Sequence, residues 1–241
     1  MDDEPVSATE LDQLMQHNGP VLFGVMRHGP RLDDNGEEDL AASWSDRAAR
    51  PYDTPLCQPE HVVSRAEELR RFKFMRIISS PFRRCVQTAA LVAKTLGVAS
   101  VDIDFGVGES MHEVMRCGWP GDDHELTYMA DTETHEILAA QGVVLGQKGG
   151  VVPRPGEDAG TRLRGSLSHI YASSGGASVL VITHGHALAA LVEDATGETV
   201  YENEYSAFAV LERLGAGGAG GFGVGSTKLV ASSGYAALSL G

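Results

Sequence analysis

Long apolar runs are missing from this chain of 241 residues. No stretch approaches the roughly 20 consecutive apolar residues that a bilayer-spanning helix needs, so no membrane span is expected. Cysteine is scarce. Three in a chain of this length make no disulfide framework, and the default compartment is a reducing, cytoplasmic one. Positive charge is short as well: 19 Lys and Arg stand against 33 Asp and Glu, a formal net charge of −14. A surplus of that sign disfavours nucleic acid and acidic membranes as partners. The opening residues Met1, Asp2, Asp3 and Glu4 have the opposite character to a secretory or mitochondrial leader. There is no internal repeat and no clean linker, so residues 1–241 are read as one domain. What the chain does have is apolar content, 42% of its residues, enough to bury a core. Taken alone, the negative charge would also speak against an anionic substrate; the local sequence says otherwise.

Val21 to Met26 (VLFGVM), Met75 to Ser79 (MRIIS) and Val179 to Thr183 (VLVIT) are short runs, nearly all apolar. Such runs fit strands buried on both faces of a parallel sheet. Further strands are expected at 98–103, 205–211 and 227–231. Residues 60–73 suit an amphipathic helix with Val62, Val63, Ala66 and Leu69 on one side. In SSPFRRCVQTAALVAKTLG, Ser80 is the expected N-cap, Pro81 the first helical residue and Gly97 the closing glycine. Helices are also expected within 124–140, within 158–173 and from Ala187 to Thr196, the last closed by Gly197. Residues 32–60 and 104–125 read as long loops, and a long loop in a compact domain is usually functional. The alternation of strand and helix predicts an α/β fold, three layers with a mostly parallel central sheet.

In such a sheet, ligands bind beyond the carboxyl ends of the strands. Three apolar strands end in reactive residues: Arg27-His28-Gly29, Ser80-Pro81-Phe82-Arg83-Arg84 and His184-Gly185-His186. If the strands are parallel, Arg27, His28, Arg83 and His184 share one sheet edge. A guanidinium fork matches phosphate oxygens two at a time, as lysine cannot. Arg83 also falls in the first turn of its helix, where the backbone favours an anion. Alone, each histidine would read as a packed polar residue and each arginine as a solvated charge. Their convergence reverses that reading.

The set resembles the histidine phosphatase superfamily, the phosphoglycerate-mutase-like fold. The resemblance rests on Arg27-His28-Gly29 with Arg31, on SSPFRRCVQTA and on ITHGHAL, in that order over 21–190. It implies that His28 is a nucleophile forming a phosphohistidine. Arg27 and Arg83 would bind phosphoryl oxygens, and His184 would add a donor. A separate acid would protonate the leaving oxygen. Glu109 matches the family's Gly-Leu-x-Glu pattern with Val107 in place of Leu; Glu113 is the alternative. Arg31 fits the RHGxR variant and could reach the phosphate, or it could pair with Asp33 or Asp34. The residues around Arg31, and those at 49–56, look most like the branch that contains the T-cell ubiquitin-ligand and ecdysteroid-phosphate phosphatases. Arg31 and Asp34 stand where the mutase pattern has Ser and Asn, which favours a phosphatase over a mutase.

The resemblance therefore implies a phosphomonoester hydrolase that needs no metal or other cofactor. Its substrate would be a phosphorylated small molecule or a phosphopeptide. A sugar-phosphate mutase and a turnover-free phospho-ligand scaffold remain as alternatives. Trp44, Tyr52 and Trp119 are candidates to line the pocket. His184 and His186 form an HxH pair that could hold a metal but suits a phosphate donor and its neighbour better. The cysteines offer no thiol phosphatase loop: Leu91, Val63 and Asp123 stand where Cys85, Cys57 and Cys117 would require arginine. Cys85 is expected in the core. Gly218 to Gly223 fits GxGxxG but opens no helix, and it is read as a loop.

Overall fold

A computed structural model describes residues 20–34, 44–119, 126–214 and 226–239. The glycine-rich segment 218–223 and parts of both expected loops lie outside these residues. Seven strands form one sheet: β1 (Leu22–Arg27), β2 (Arg76–Ser79), β3 (Ser100–Asp104), β4 (Val144–Gly149), β5 (Val179–Thr183), β6 (Glu198–Arg213) and β7 (Thr227–Ser239). Their spatial order is β4-β3-β2-β5-β1-β6-β7. The five strands from β4 to β1 run parallel, and β6 and β7 are antiparallel additions. The helices are α1 (Pro59–Leu69), α2 (Arg83–Leu96), α3 (Met111–Arg116), α4 (Asp131–Ala139), α5 (Ala159–Ser173) and α6 (Gly185–Thr196). The fold is α/β, with helices on both faces of a mostly parallel sheet.

Side chains alternate across a strand, and here both alternations are apolar. From β1 and β5, Leu22, Met26, Leu180 and Ile182 enter the core under α1, α2 and α4. Phe23, Val25, Val179 and Val181 enter the core under α5 and α6. That double burial is why these strands read as unbroken apolar runs. Gly97 and Gly197 close α2 and α6 at φ 75° and 74°, the left-handed geometry a helix end favours in glycine.

Several expectations are corrected. β4 was not anticipated: VLGQKG is largely exposed and carries no apolar signal. The short helix α3 interrupts the expected loop 104–125. The expected strand at 205–211 lies inside the longer β6, flanked by β1 and β7. The helix α2 begins at Arg83, not Pro81. Ser80 does not cap it; a carboxylate oxygen of Asp53, from a distant loop, accepts from the Arg83 backbone N–H at 2.7 Å. Cys85 is fully buried, as expected of a core residue. Trp44, Tyr52 and Trp119 are only 4–6% exposed. Trp44 packs with Leu32 and Cys57, and the other two belong to the core that includes α1 and α2; the Tyr52 carbonyl accepts from Arg84 Nη1 at 3.1 Å.

Candidate active site

The carboxyl ends of β1, β5 and β2 are adjacent. Arg27 pairs in register with Thr183, and Ser79 with Ile182. The ladder continues one residue further, with the His28 N–H donating to Thr183 O at 2.8 Å. Gly29 then turns the chain against α1. A Cβ there would lie 2.4 Å from Val62 and 2.6 Å from Leu56, so the turn requires glycine.

His28 is 2% exposed. Its Nδ1 is 2.8 Å from the Gly29 carbonyl oxygen. That oxygen can only accept, so the tautomer carries its proton on Nδ1 and leaves Nε2 as an acceptor. Nε–H of Arg84 points at this atom from 3.2 Å. Burial, then Arg84, His184 and Arg27, push the imidazole well below its ordinary pKa. It is therefore neutral. Arg27 lies beside it, donating to Asn203 O at 2.5 Å and stacking on the Tyr205 ring at 4.3 Å.

Glu109, at the end of the loop after β3, is 9% exposed. One carboxylate oxygen is 3.0 Å from His184 Nδ1 and 3.4 Å from Arg84 Nη2. The other accepts from the Ser110 N–H at 3.0 Å and lies 3.6 Å from His186 Nδ1. Burial alone would raise its pKa; His184, His186 and Arg84 outweigh burial and hold it well below the ordinary carboxylate range. His184 is pulled down to about 4, chiefly by burial. A neutral His184 donates Nδ1–H to Glu109, which leaves Nε2 to accept from the Ser80 hydroxyl at 2.9 Å. His186 is more exposed, and its pKa is raised mainly by Glu109, with Glu113 adding and burial and Arg27 opposing.

The structure thus brings Arg27, His28, Glu109 and His184 together. It does not bring Arg83. That side chain forms a two-pronged ion pair with Asp46 (2.7 Å for both contacts) and reaches Glu133 at 3.3 Å. Arg84 takes the inner position instead. The reason is the helix start: side chains advance about 100° per residue around a helix, and only one of two consecutive arginines can face the sheet edge. Arg31 forks onto Asp33 at 2.9 and 2.5 Å; burial first, and Arg31 among its neighbouring cations, lower the Arg27 pKa. Glu113 turns to Arg116 on its own helix, at 2.7 Å. Sequence reasoning missed Arg84, Ser80 as a partner of His184, and Tyr205; the Arg-Arg pair was the available signal for the first.

His28, Glu109 and His184 offer three metal-ligating atoms within 4.8 Å of one another. The Arg84 guanidinium is already within 3.2–3.4 Å of all three groups, and a fixed cation there opposes a second one. A groove of about 980 Å³ lies elsewhere among the described residues. It lies between the β3–β4 side of the sheet and α5, and contains none of His28, Arg84, Glu109 or His184. No described helix is long and apolar enough to cross a membrane.

Solved structures share this fold. The ecdysone phosphate phosphatase from Bombix mori, complexed with tungstate, is 16% identical over 79% of this chain and 88% of that one, TM-score 0.55. A structure described as mycobacterial hydrolase 2 is 20% identical over 91% and 93%, TM-score 0.54. A mycobacterial glucosyl-3-phosphoglycerate phosphatase is 18% identical over 88% and 98%, TM-score 0.51. No curated protein sequence matches the chain. The family described as the histidine phosphatase superfamily (branch 1) matches residues 26–209, a span that takes in both arginines, both histidines and the buried glutamate just described. This chain belongs to the histidine phosphatase superfamily, branch 1.

Proposed function

We propose that the chain is a phosphomonoester hydrolase that works without a metal, through a phosphohistidine at His28. The observation that carries this reading is the state of His28: neutral, its Nδ1 proton held by Gly29 O, its Nε2 lone pair facing Arg84. Nε2 attacks phosphorus and the ester P–O bond breaks, its electron pair passing to the leaving oxygen. Arg84 and Arg27 neutralise the equatorial phosphoryl oxygens in a transfer governed by positioning and charge, while His184, whose one N–H is directed at Glu109, holds the acid and not the phosphoryl group. Arg84 takes the role expected of Arg83.

Glu109 supplies the proton to the leaving oxygen. A bound phosphate ester brings negative charge beside the carboxylate and raises its proton affinity, the direction a general acid needs. Water then attacks the phosphohistidine. Glu109 takes the water's proton, the N–P bond breaks and its pair returns to Nε2, and inorganic phosphate leaves. The substrate class is a phosphorylated small molecule or phosphopeptide. Half-buried Arg31, forked onto Asp33, and Tyr205, stacked under Arg27, are the side chains we assign to the part of the substrate beyond the phosphoryl group.

The test is His28→Ala with p-nitrophenyl phosphate, together with ³²P labelling. Turnover should vanish in a folded variant, and the wild type should carry an acid-labile, alkali-stable label that the variant lacks. Vanadate should inhibit and EDTA should not. Undiminished turnover in His28→Ala sinks the reading.

A further inference from the structure

The backbone that delivers Glu109 has an unusual set of partners. Residues 106–109 span the end of a one-turn 3-10 helix (Phe105–Val107) and the segment after it, with no strand ladder to occupy their carbonyls, and buried carbonyls must find donors. Two side chains supply them all. Arg162 Nη1 donates to Gly106 O at 2.6 Å and Gly108 O at 3.1 Å, and Nη2 donates to Glu109 O at 3.1 Å. Thr183 Oγ1 donates to Val107 O at 2.5 Å. Four consecutive carbonyls are thereby tied to α5 and to the end of β5. Arg162 is itself held, its Nε–H donating to Glu157 at 2.5 Å, and its side chain is 7% exposed. The loop also lies hard against α5: a Cβ on Gly106 would be 2.3 Å from Ser166 Oγ. Arg162 touches none of the side-chain groups that would meet substrate, and its planar fork holds N–H donors in a fixed geometry that spans three carbonyls, where a lysine's compact ammonium would not hold them at that spacing.

We propose that Arg162 is the positioning residue for Glu109, holding the acid's own backbone at the height where its carboxyl group meets the leaving oxygen. This rests on the reading of Glu109 as proton donor. It makes a selective statement about substrates. A displacement of about 1 Å in a reacting group costs on the order of 10²-fold. That cost falls on esters whose leaving oxygen needs a proton, such as alkyl phosphates. Esters that leave as stable phenoxides need little help, because the acid's contribution follows the basicity of the leaving group.

The experiment compares Arg162→Lys with wild type on β-glycerophosphate and on 2,4-dinitrophenyl phosphate. The expected result is a kcat/KM loss on β-glycerophosphate on the order of 10-fold or more beyond that on the dinitrophenyl ester. Glu157→Gln, which loosens the fork without removing it, should show the same asymmetry at smaller size and serves if Arg162→Lys fails to fold. Equal losses on both esters, or no loss on either, overturn the proposal. A second readout needs no turnover. The Glu109 carboxylate raises the His186 titration point, which NMR of the free protein can follow. In Arg162→Lys that point should fall toward the ordinary histidine value, and an unmoved titration counts against the proposal. If wild type cleaves neither ester, the phosphatase reading fails, and the His186 titration still decides the role of Arg162.

Discussion

Arg83 and Arg84 are neighbours in sequence and end in two electrostatically different regions. The outer region holds Arg83 and Arg50 against Asp46 and Glu133, with every guanidinium matched by a carboxylate. The inner region holds Arg84 and Arg27 with one carboxylate, Glu109, and two neutral imidazoles. A guanidinium already forked onto a carboxylate has spent the donor pair that a phosphate would use. The inner region keeps a surplus of positive charge, and the Arg27 Nε–H there is buried without a partner among the described residues. The comparison teaches that an arginine's chemistry is set by what neutralises it, and that a chain of net charge −14 can still hold a cationic pocket by confining the neutralising carboxylates to the other side of one helical turn.

The sharpest way to break this comparison is to truncate each arginine in turn. Arg84→Ala should lower kcat on p-nitrophenyl phosphate by on the order of 10³-fold, the upper range for loss of one transition-state donor. Arg83→Ala should change it by only about 3-fold, since the charge it removes is already neutralised. Comparable losses would merge the two regions into one. Next in size is the acid. Glu109→Gln should cost on the order of 10²-fold on an alkyl phosphate, while Glu113→Gln, whose partner is Arg116, should leave the rate near wild type.

The two regions should also fail at different pH. His28 and His184 have folded pKa values pushed below the ordinary 6.5, His184 to about 4. Below pH 6.5 the unfolded chain therefore binds protons that the native state refuses, and stability falls with pH. Between pH 7 and pH 5 the loss should be roughly 2 kcal/mol per histidine, read by urea unfolding. His184→Gln should flatten that slope. The outer carboxylates Asp46 and Glu133 are held below their ordinary values by Arg83 and Arg50. Their contribution is complete above the ordinary carboxylate range and is lost only as the pH falls through the lowered values. The smallest effect is on stability at neutral pH: Arg83→Ala should cost about 1 kcal/mol, as expected for a partly exposed ion pair, measured by the same unfolding curves.

Much of the fold was legible because its signals are local. β1, β2 and β5 are apolar on both faces, and their ends carry Arg27, His28 and His184 directly. Gly97 and Gly197 mark helix ends by a conformation that favours glycine. Glu109 was legible only by resemblance. β4 was not legible, since an exposed edge strand such as VLGQKG owes its pairing to β3 and not to its own side chains. The burial of Trp44, Tyr52 and Trp119 was not legible either, because polar surroundings in sequence do not reveal burial in space.

The sequence by itself determined the chemistry available: a histidine after one strand, histidines after another, paired arginines after a third, and the strand-helix order that makes those ends neighbours. Only the tertiary structure decided which arginine faces His28, because Asp53, thirty residues before Arg83, meets the first turn of α2 and the helix starts two residues later than its own sequence suggests. Two residues are about 200° of helix, enough to exchange inside for outside. Only the tertiary structure, too, brought Arg162 from α5 to the carbonyls beneath Glu109. Local sequence sets which groups exist and how each element turns; contacts between distant elements set where each turn begins, and so where each charge points.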